Sequence, residues 1–169
     1  AMHPAGVLCA TGQRGVTPSI IVWDSTSAAT KCSLKLNKGG RAVSAMAFSS
    51  DGALLVAAAQ DDEHTVHVYN WAEGLLLNRV AGGRSKVLAF AWSVPGASVS
   101  LLQCGVDHYQ VWTLAGRNIS GKKGLYGTVS KRQTFTCCCW IGNEEAGNIA
   151  GVLGAHDGSL YRTDGGRKL

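Results

Sequence analysis

Long apolar runs, proline and charge are what this sequence has least of. No apolar stretch approaches the roughly eighteen residues of a membrane-crossing helix, so no membrane association is expected. The chain opens Ala1-Met2-His3-Pro4 with neither a basic segment nor an apolar core behind it, so no secretory signal is read there. Proline occurs 3 times, and charged residues make up 16% against 46% apolar, which excludes wholesale disorder. There is no Walker loop, no GxGxxG and no EF-hand spacing. The six cysteines, Cys9, Cys32, Cys104, Cys137, Cys138 and Cys139, contain no CxxC pair and no zinc-finger pattern. No cofactor or metal is therefore expected, and unpaired cysteines point to a reducing, cytoplasmic setting.

Glycine is abundant instead, 22 residues scattered between short apolar runs, as in an all-β chain with many turns. Residues 42–71 show the unit clearly. Residues 43–48 form one β-type run, Ser49-Ser50-Asp51-Gly52 a turn, 53–59 a second run, 60–64 an acidic turn, and 65–69 a third run. Related runs recur at 87–92, 98–104 and 109–112, and again at 135–140, 149–155 and 159–162. Residues 114–123 read as a loop and 124–127 as a short edge strand.

Aromatics mark the recurrence. In the third run they are Trp23, Tyr69, Trp112 and Tyr161, separated by 46, 43 and 49 residues. In the first run they are Phe48, Trp92 and Trp140, separated by 44 and 48. A period near 40–45 residues with short strands is the signature of a β-propeller blade. Inner blade strands are covered on both faces and lose polar alternation, as in the wholly apolar 54–59; 31–36 alternates like an outer strand. The sequence is accordingly divided into a half blade at 7–25 and blades at 31–71, 75–112 and 124–162. These form one partial propeller segment over 1–169. About three and a half blades fall short of the four to eight that close a ring, so the chain is expected to be a piece of a larger propeller.

Several stretches together resemble one family. They are HPAGVLCATGQ, SIIVWDS with its Trp23-Asp24 pair, AMAFSSDG, QDDEHTVHVYNW, VLAFAWSVPG, CGVDHYQVWTLAG and KKGLYG. In this order they are similar to the echinoderm microtubule-associated protein-like family of WD-repeat proteins. The resemblance implies tandem propellers, the first built partly from an upstream hydrophobic segment. It also implies a non-catalytic scaffold binding tubulin or microtubules, located at the cytoskeleton and in some relatives in the ciliary axoneme. The chain departs from regular WD repeats: Trp-Asp survives only at Trp23-Asp24, and no Gly-His precedes the first strands. The Asp–His–Ser/Thr–Trp hydrogen-bond network is thus not expected in most blades, leaving apolar packing to hold them.

The net charge is +5 with a pI near 9.0. Positive charge suits an acidic protein surface, and no aromatic-rich RNA-binding signature accompanies it, which argues against nucleic acid. The candidate tubulin-facing residues are Arg79, Arg84, Lys86, Lys122, Lys123, Lys131 and Arg132; Arg162, Arg167 and Lys168 add charge near the end. A general WD-repeat adaptor is the alternative reading. A cysteine-dependent enzyme is the remote one, with Cys137–Cys139 beside His108 or His156. An apolar strand would raise those thiols' pKa, so slow labelling of all three is expected. Cys104 with His108 lacks further metal ligands, and Asp61-Asp62-Glu63 reads as a solvated turn.

Overall fold

The computed structural model describes residues 1–36, 39–93, 99–128, 130–142, 149–164 and 168–169. Among these there are fourteen strands and no helix, arranged in four antiparallel meanders. The chain falls into two compact units, residues 1–86 and 87–169. The parts of the turn at 93–96 and of the C-terminal basic stretch that involve residues 94–96 and Arg167 lie outside the described residues.

The first unit holds two sheets. One is β1 (Leu8–Gly12), β2 (Ser19–Asp24) and β3 (Thr30–Lys35), in that order. The other is β4 (Val43–Phe48), β5 (Leu54–Ala59), β6 (Val66–Asn70) and β7 (Leu75–Val80). Their facing side chains form a core of Ala10, Ile20, Val22 and Leu34 against Phe48, Leu55, Ala57 and Tyr69. Residues 55–59 have 0% exposure, matching their unbroken apolar sequence. The Ser49–Gly52 turn is closed by side chains that imitate backbone: Ser49 Oγ accepts from Leu54 N–H at 2.8 Å and Asp51 Oδ1 from Ala53 N–H at 3.0 Å. The Ser49 hydroxyl, which donates to Asp51 Oδ1, and after it the Ala53 N–H hold the Asp51 carboxyl below its ordinary pKa. Gly52 has φ +75, and a Cβ there would run into the His3 ring. His3 instead packs edge-on against Phe48 and Trp71, whose Nε1–H donates to Gly52 O at 2.6 Å.

The second unit repeats the plan. β8 (Val87–Trp92), β9 (Val99–Gly105), β10 (His108–Ala115) and β11 (Asn118–Lys123) make one sheet; β12 (Phe135–Ile141), β13 (Ala150–Ala155) and β14 (Leu160–Arg162) make the other. Leu102, Cys104, Tyr109, Phe135, Leu153 and Ala155 form its core. Ser93 serves its turn as Ser49 does, with Oγ accepting from Ser100 N–H at 3.0 Å. A register shift recurs at the start of β4, β8 and β12, between Val43 and Ala45, Val87 and Ala89, and Phe135 and Cys137. Such bulges increase local twist, and their recurrence is repeat evidence that composition does not display.

Two expectations are corrected. The sheets run 8–35, 43–80, 87–123 and 135–162, so the boundaries 7–25, 31–71, 75–112 and 124–162 are out of step by one strand. The segment expected to open the 31–71 blade is β3, which pairs with β2 and closes the sheet before; likewise β7, expected to open the 75–112 blade, pairs with β6. The hairpin turn decides this: Asp24 Oδ1 accepts the Thr26 and Ser27 N–H groups at 2.9 and 3.0 Å and folds β3 back. Second, 114–123 is no loop, because β10 continues to Ala115 and β11 runs the length of Asn118–Lys123. Residues 124–127 are not a strand; Leu125 alone bridges to Lys168. The 87–123 sheet holds a polar network of its own, from residues other than those of regular repeats. The Trp112 Nε1–H donates to Gln103 Oε1 at 2.8 Å, and Gln103 Nε2 lies 3.0 Å from His108 Nε2. His108 Nδ1 lies 3.0 Å from Val106 O. Indole N–H can only donate, so the Gln103 amide nitrogen must face His108, whose Nε2 accepts and whose Nδ1 donates.

Candidate protein-interaction surface

In an antiparallel meander every second connection falls at the same end of the sheet. In the first unit the segments at 13–18, 39–42, 60–65 and 81–86 share such an end, and backbone bonds stitch them together. Gly15 N–H donates to Arg41 O, Gln60 N–H to Ala42 O, and the Gly82 and Gly83 N–H groups to Glu63 O. Arg14 and Arg41 flank an open depression of about 580 Å³, with Gly15, Val16, Gly39 and Gly40 completing its wall. Arg41 is held in place, its Nε–H donating to Gln60 O at 2.9 Å and an Nη2–H to Asp62 Oδ1 at 2.8 Å. Asp61 is engaged within the turn as well, its Oδ1 accepting Thr65 N–H at 2.8 Å. Arg84 and Lys86 are exposed at this end, whereas exposed Arg79 sits on β7 opposite His67.

In the second unit the equivalent segments are 105–108, 124–128 with 130–134, and 156–159. The Tyr109 hydroxyl donates to Leu125 O at 2.9 Å and the Tyr126 hydroxyl to Asp107 O at 3.2 Å, while His156 N–H donates to Thr134 O. Gly124 must be glycine, since a Cβ would enter the Tyr109 ring. Lys122 and Lys123 close β11, opposite Val111 and Gln110. Lys131 and Arg132 follow in the next connection, and Lys168 lies beside Leu125. All five cations are exposed and none forms an ion pair among the described residues; the pair found there is Arg41–Asp62. Of the sequence-derived candidates, Lys122, Lys123, Lys131 and Arg132 are therefore brought together at one end, and Arg84 and Lys86 share the end of the other unit. Arg79 is not grouped with them. Arg14 and Arg41 were missed, though each lies in a glycine-flanked connection.

The aromatic markers take consistent places. Trp23, Tyr69, Trp112 and Tyr161 lie on the third-type strands β2, β6, β10 and β14, and Phe48, Trp92 and Trp140 near the ends of β4, β8 and β12. The Tyr69 hydroxyl donates to Lys35 O at 2.8 Å, and burial raises its pKa. The Trp140 Nε1–H donates to Ala91 O at 3.0 Å.

The cysteine expectation needs correction. Cys137 and Cys139 are exposed on one face of β12, and only Cys138 is turned inward, against Cys104 and with its Sγ 3.7 Å from Leu102 O. Its thiol pKa is pushed up, first by the hydrogen bond with Cys104 and then by desolvation. His108 has both ring nitrogens occupied by Gln103 and Val106, so it is not placed to activate a thiol. No group of three or more His, Cys, Asp or Glu side chains suited to a metal occurs among the described residues, and no helix there is long and apolar enough to cross a membrane.

Comparison with known proteins agrees with this architecture. U3-55K superposes with a TM-score of 0.72 at 20% identity, over 99% of this chain and 46% of that one. A chain of the mitotic checkpoint complex does so with 0.68 at 19% identity, over 96% and 47%. At these identities the likeness establishes the fold, a WD40-type β-propeller represented here in part. The ciliary WD repeat-containing protein ctxp80 of Euplotoides octocarinatus is 32% identical over 160 residues, 95% of this chain and 22% of that protein. Human echinoderm microtubule-associated protein-like 2 is 30% identical over 188 residues, 95% of this chain and 29% of its own length. The chain thus spans less than a third of these relatives. The family described as echinoderm microtubule-associated protein, first beta-propeller, matches residues 1–162, and the chain belongs to that family.

Proposed function

We propose that the chain is a non-catalytic part of a microtubule-associated scaffold that contacts tubulin or the microtubule lattice through its cationic loop ends. Such a scaffold would work at the cytoplasmic cytoskeleton, including the ciliary axoneme. The observation that carries the reading is the set of exposed cations at one end of the second unit, none in an ion pair among the described residues, in a chain whose relatives are named as microtubule-associated and ciliary. Cations without internal partners can meet an acidic surface without first giving up an ion pair, and they accelerate encounter by long-range attraction. Candidate contact residues are Arg84 and Lys86 in the first unit and Lys122, Lys123, Lys131 and Arg132 in the second; Arg79 would contribute from the side of its sheet. The unpartnered faces of the end sheets would be covered by further blades or neighbouring proteins.

Co-sedimentation with microtubules at rising salt tests this. Binding should weaken steadily between about 50 and 200 mM salt as screening shortens. Binding indifferent to salt removes the electrostatic contact, and absence of binding removes the tubulin reading. Pull-downs rich in other complexes and devoid of tubulin would establish the general adaptor in its place.

A further inference from the structure

We infer that the outer strand β11 is a docking edge for an extended acidic peptide segment, which adds to the sheet as a further strand. The inference rests on the loop end of the second unit facing the partner, and it names both the element and the form of the ligand.

Strand β11 pairs with β10 along its full length, Ala115 with Asn118 through Gln110 with Lys123, and its other side carries no further strand among the described residues. Its burial pattern is exposed at five of six positions, unlike β3, where Leu34 is buried, or β7, where Asn78 is buried. A strand edge offers alternating N–H and C=O groups to any extended chain, and side-chain chemistry beside it selects which chain. Here Ser120 and Gly121 are small and leave the backbone approachable. Lys122 and Lys123 follow, and successive residues in a strand point to opposite faces, so one cation stands on each side of an incoming strand. Beyond them lie Leu125, 46% exposed, and Lys168 bridged to it. Lys131 and Arg132 are in the same connection.

Among the described residues Asp107, Asp157 and Asp164 are near this end, against the five cations Lys122, Lys123, Lys131, Arg132 and Lys168. Of the other outer edges, β3 carries Lys31, which lies within electrostatic reach of Asp24, and Lys35, and the cation Arg41 in the connection after it is already paired with Asp62, while β7 carries Arg79 beside exposed Leu75 and Leu76. Lysines on an edge commonly keep strands from pairing with copies of themselves. The same charges that repel a second copy attract a strand of opposite sign, and exposed Leu125 supplies an apolar contact for one side chain of that strand.

The test is fluorescence anisotropy with a labelled peptide of alternating glutamate and glycine carrying one phenylalanine. Binding should weaken at least tenfold in Lys122→Glu/Lys123→Glu and stay within twofold in the first-unit control Arg79→Glu/Arg84→Glu. The matched glutamine peptide should not bind. Methylating alternate backbone nitrogens of the glutamate peptide should abolish binding if a strand is added. Equal loss in both double variants, binding of the glutamine peptide, or full binding of the methylated peptide each overturns the inference. A chain that co-sediments with microtubules but ignores the peptide overturns it alone, leaving the tubulin reading intact; peptide binding without co-sedimentation overturns the tubulin reading and leaves the acidic-peptide edge. Circular dichroism of the variants checks that the exposed substitutions leave the fold unchanged.

Discussion

Replacing Gln103 by methionine should destabilise the second unit although it changes the side-chain volume little. Gln103 has 0% exposure and Trp112 4%. The amide accepts the indole N–H at 2.8 Å and meets His108 Nε2 at 3.0 Å. Methionine fills similar space but cannot accept the indole hydrogen, so the loss is one of hydrogen bonding with little cavity term. A buried donor left without a partner costs about 1–3 kcal/mol. The half-buried His108 can turn to water and should add little. For a chain of this size about 1 kcal/mol moves the melting temperature roughly 2–4 °C. Urea unfolding followed by circular dichroism would measure the change. The same Gln103→Met substitution placed on Trp112→Phe, which has no indole hydrogen, should cost distinctly less, with a coupling of about 1 kcal/mol or more between the two sites. A loss below about 0.5 kcal/mol, or an equal loss in the Trp112→Phe background, would refute the network as a source of stability.

Other perturbations probe other parts of the structure. His67 has 0% exposure, and desolvation lowers its pKa, with the Thr65 backbone and Asp61 pulling the other way. The unfolded chain therefore binds the proton more readily, so stability should be fully present above the ordinary histidine pKa of about 6.5 and fall as pH drops below it, by up to about 1.4 kcal/mol per pH unit. Unfolding curves from pH 8 to 5 would show this slope, and it should vanish in His67→Leu. Gly52→Ala meets both a left-handed backbone and the His3 ring and should cost about 1–2 kcal/mol in thermal unfolding; relief of part of that cost by His3→Ala would confirm the collision, and an unchanged cost would count against it. Thiol labelling of the folded chain, read by mass spectrometry, should be fast at Cys137 and Cys139 and slow at Cys104 and Cys138; equal rates at Cys137 and Cys138 would contradict the alternation on β12.

Much of the fold was legible because burial leaves a strong mark on short strands. Residues 54–59 could be read as a doubly covered strand from apolarity alone, and the spaced aromatics gave the period. What could not be read was the partner of each outer strand. An alternating segment such as 31–36 looks the same whichever neighbour it bonds, and the connections on either side are of similar length. The Asp24 turn that settles the matter is local, and an Asx reading of Asp24-Ser25-Thr26-Ser27 would have found it. Strand β11 was missed because NISGKK is poor in β-branched and aromatic residues; its position comes from pairing with β10. The Gln103–His108–Trp112 network was hidden because its residues replace the usual types at other positions. The cationic candidates were visible as residues, but their grouping depends on which connections share an end, and that follows from counting strands correctly.

The one-strand offset between the sequence repeat and the sheet also limits how the gene can be cut. Excising residues 31–71 as one apparent repeat would strip β3 from the first sheet and leave β7 without β6, damaging two sheets to remove one repeat. Excising 43–80 would take a complete hydrogen-bonded meander. The units that evolution could duplicate, or that an engineer could transplant, are therefore bounded by the connections before the inner strands, and the aromatics that reveal the period lie inside these units without marking their bounds.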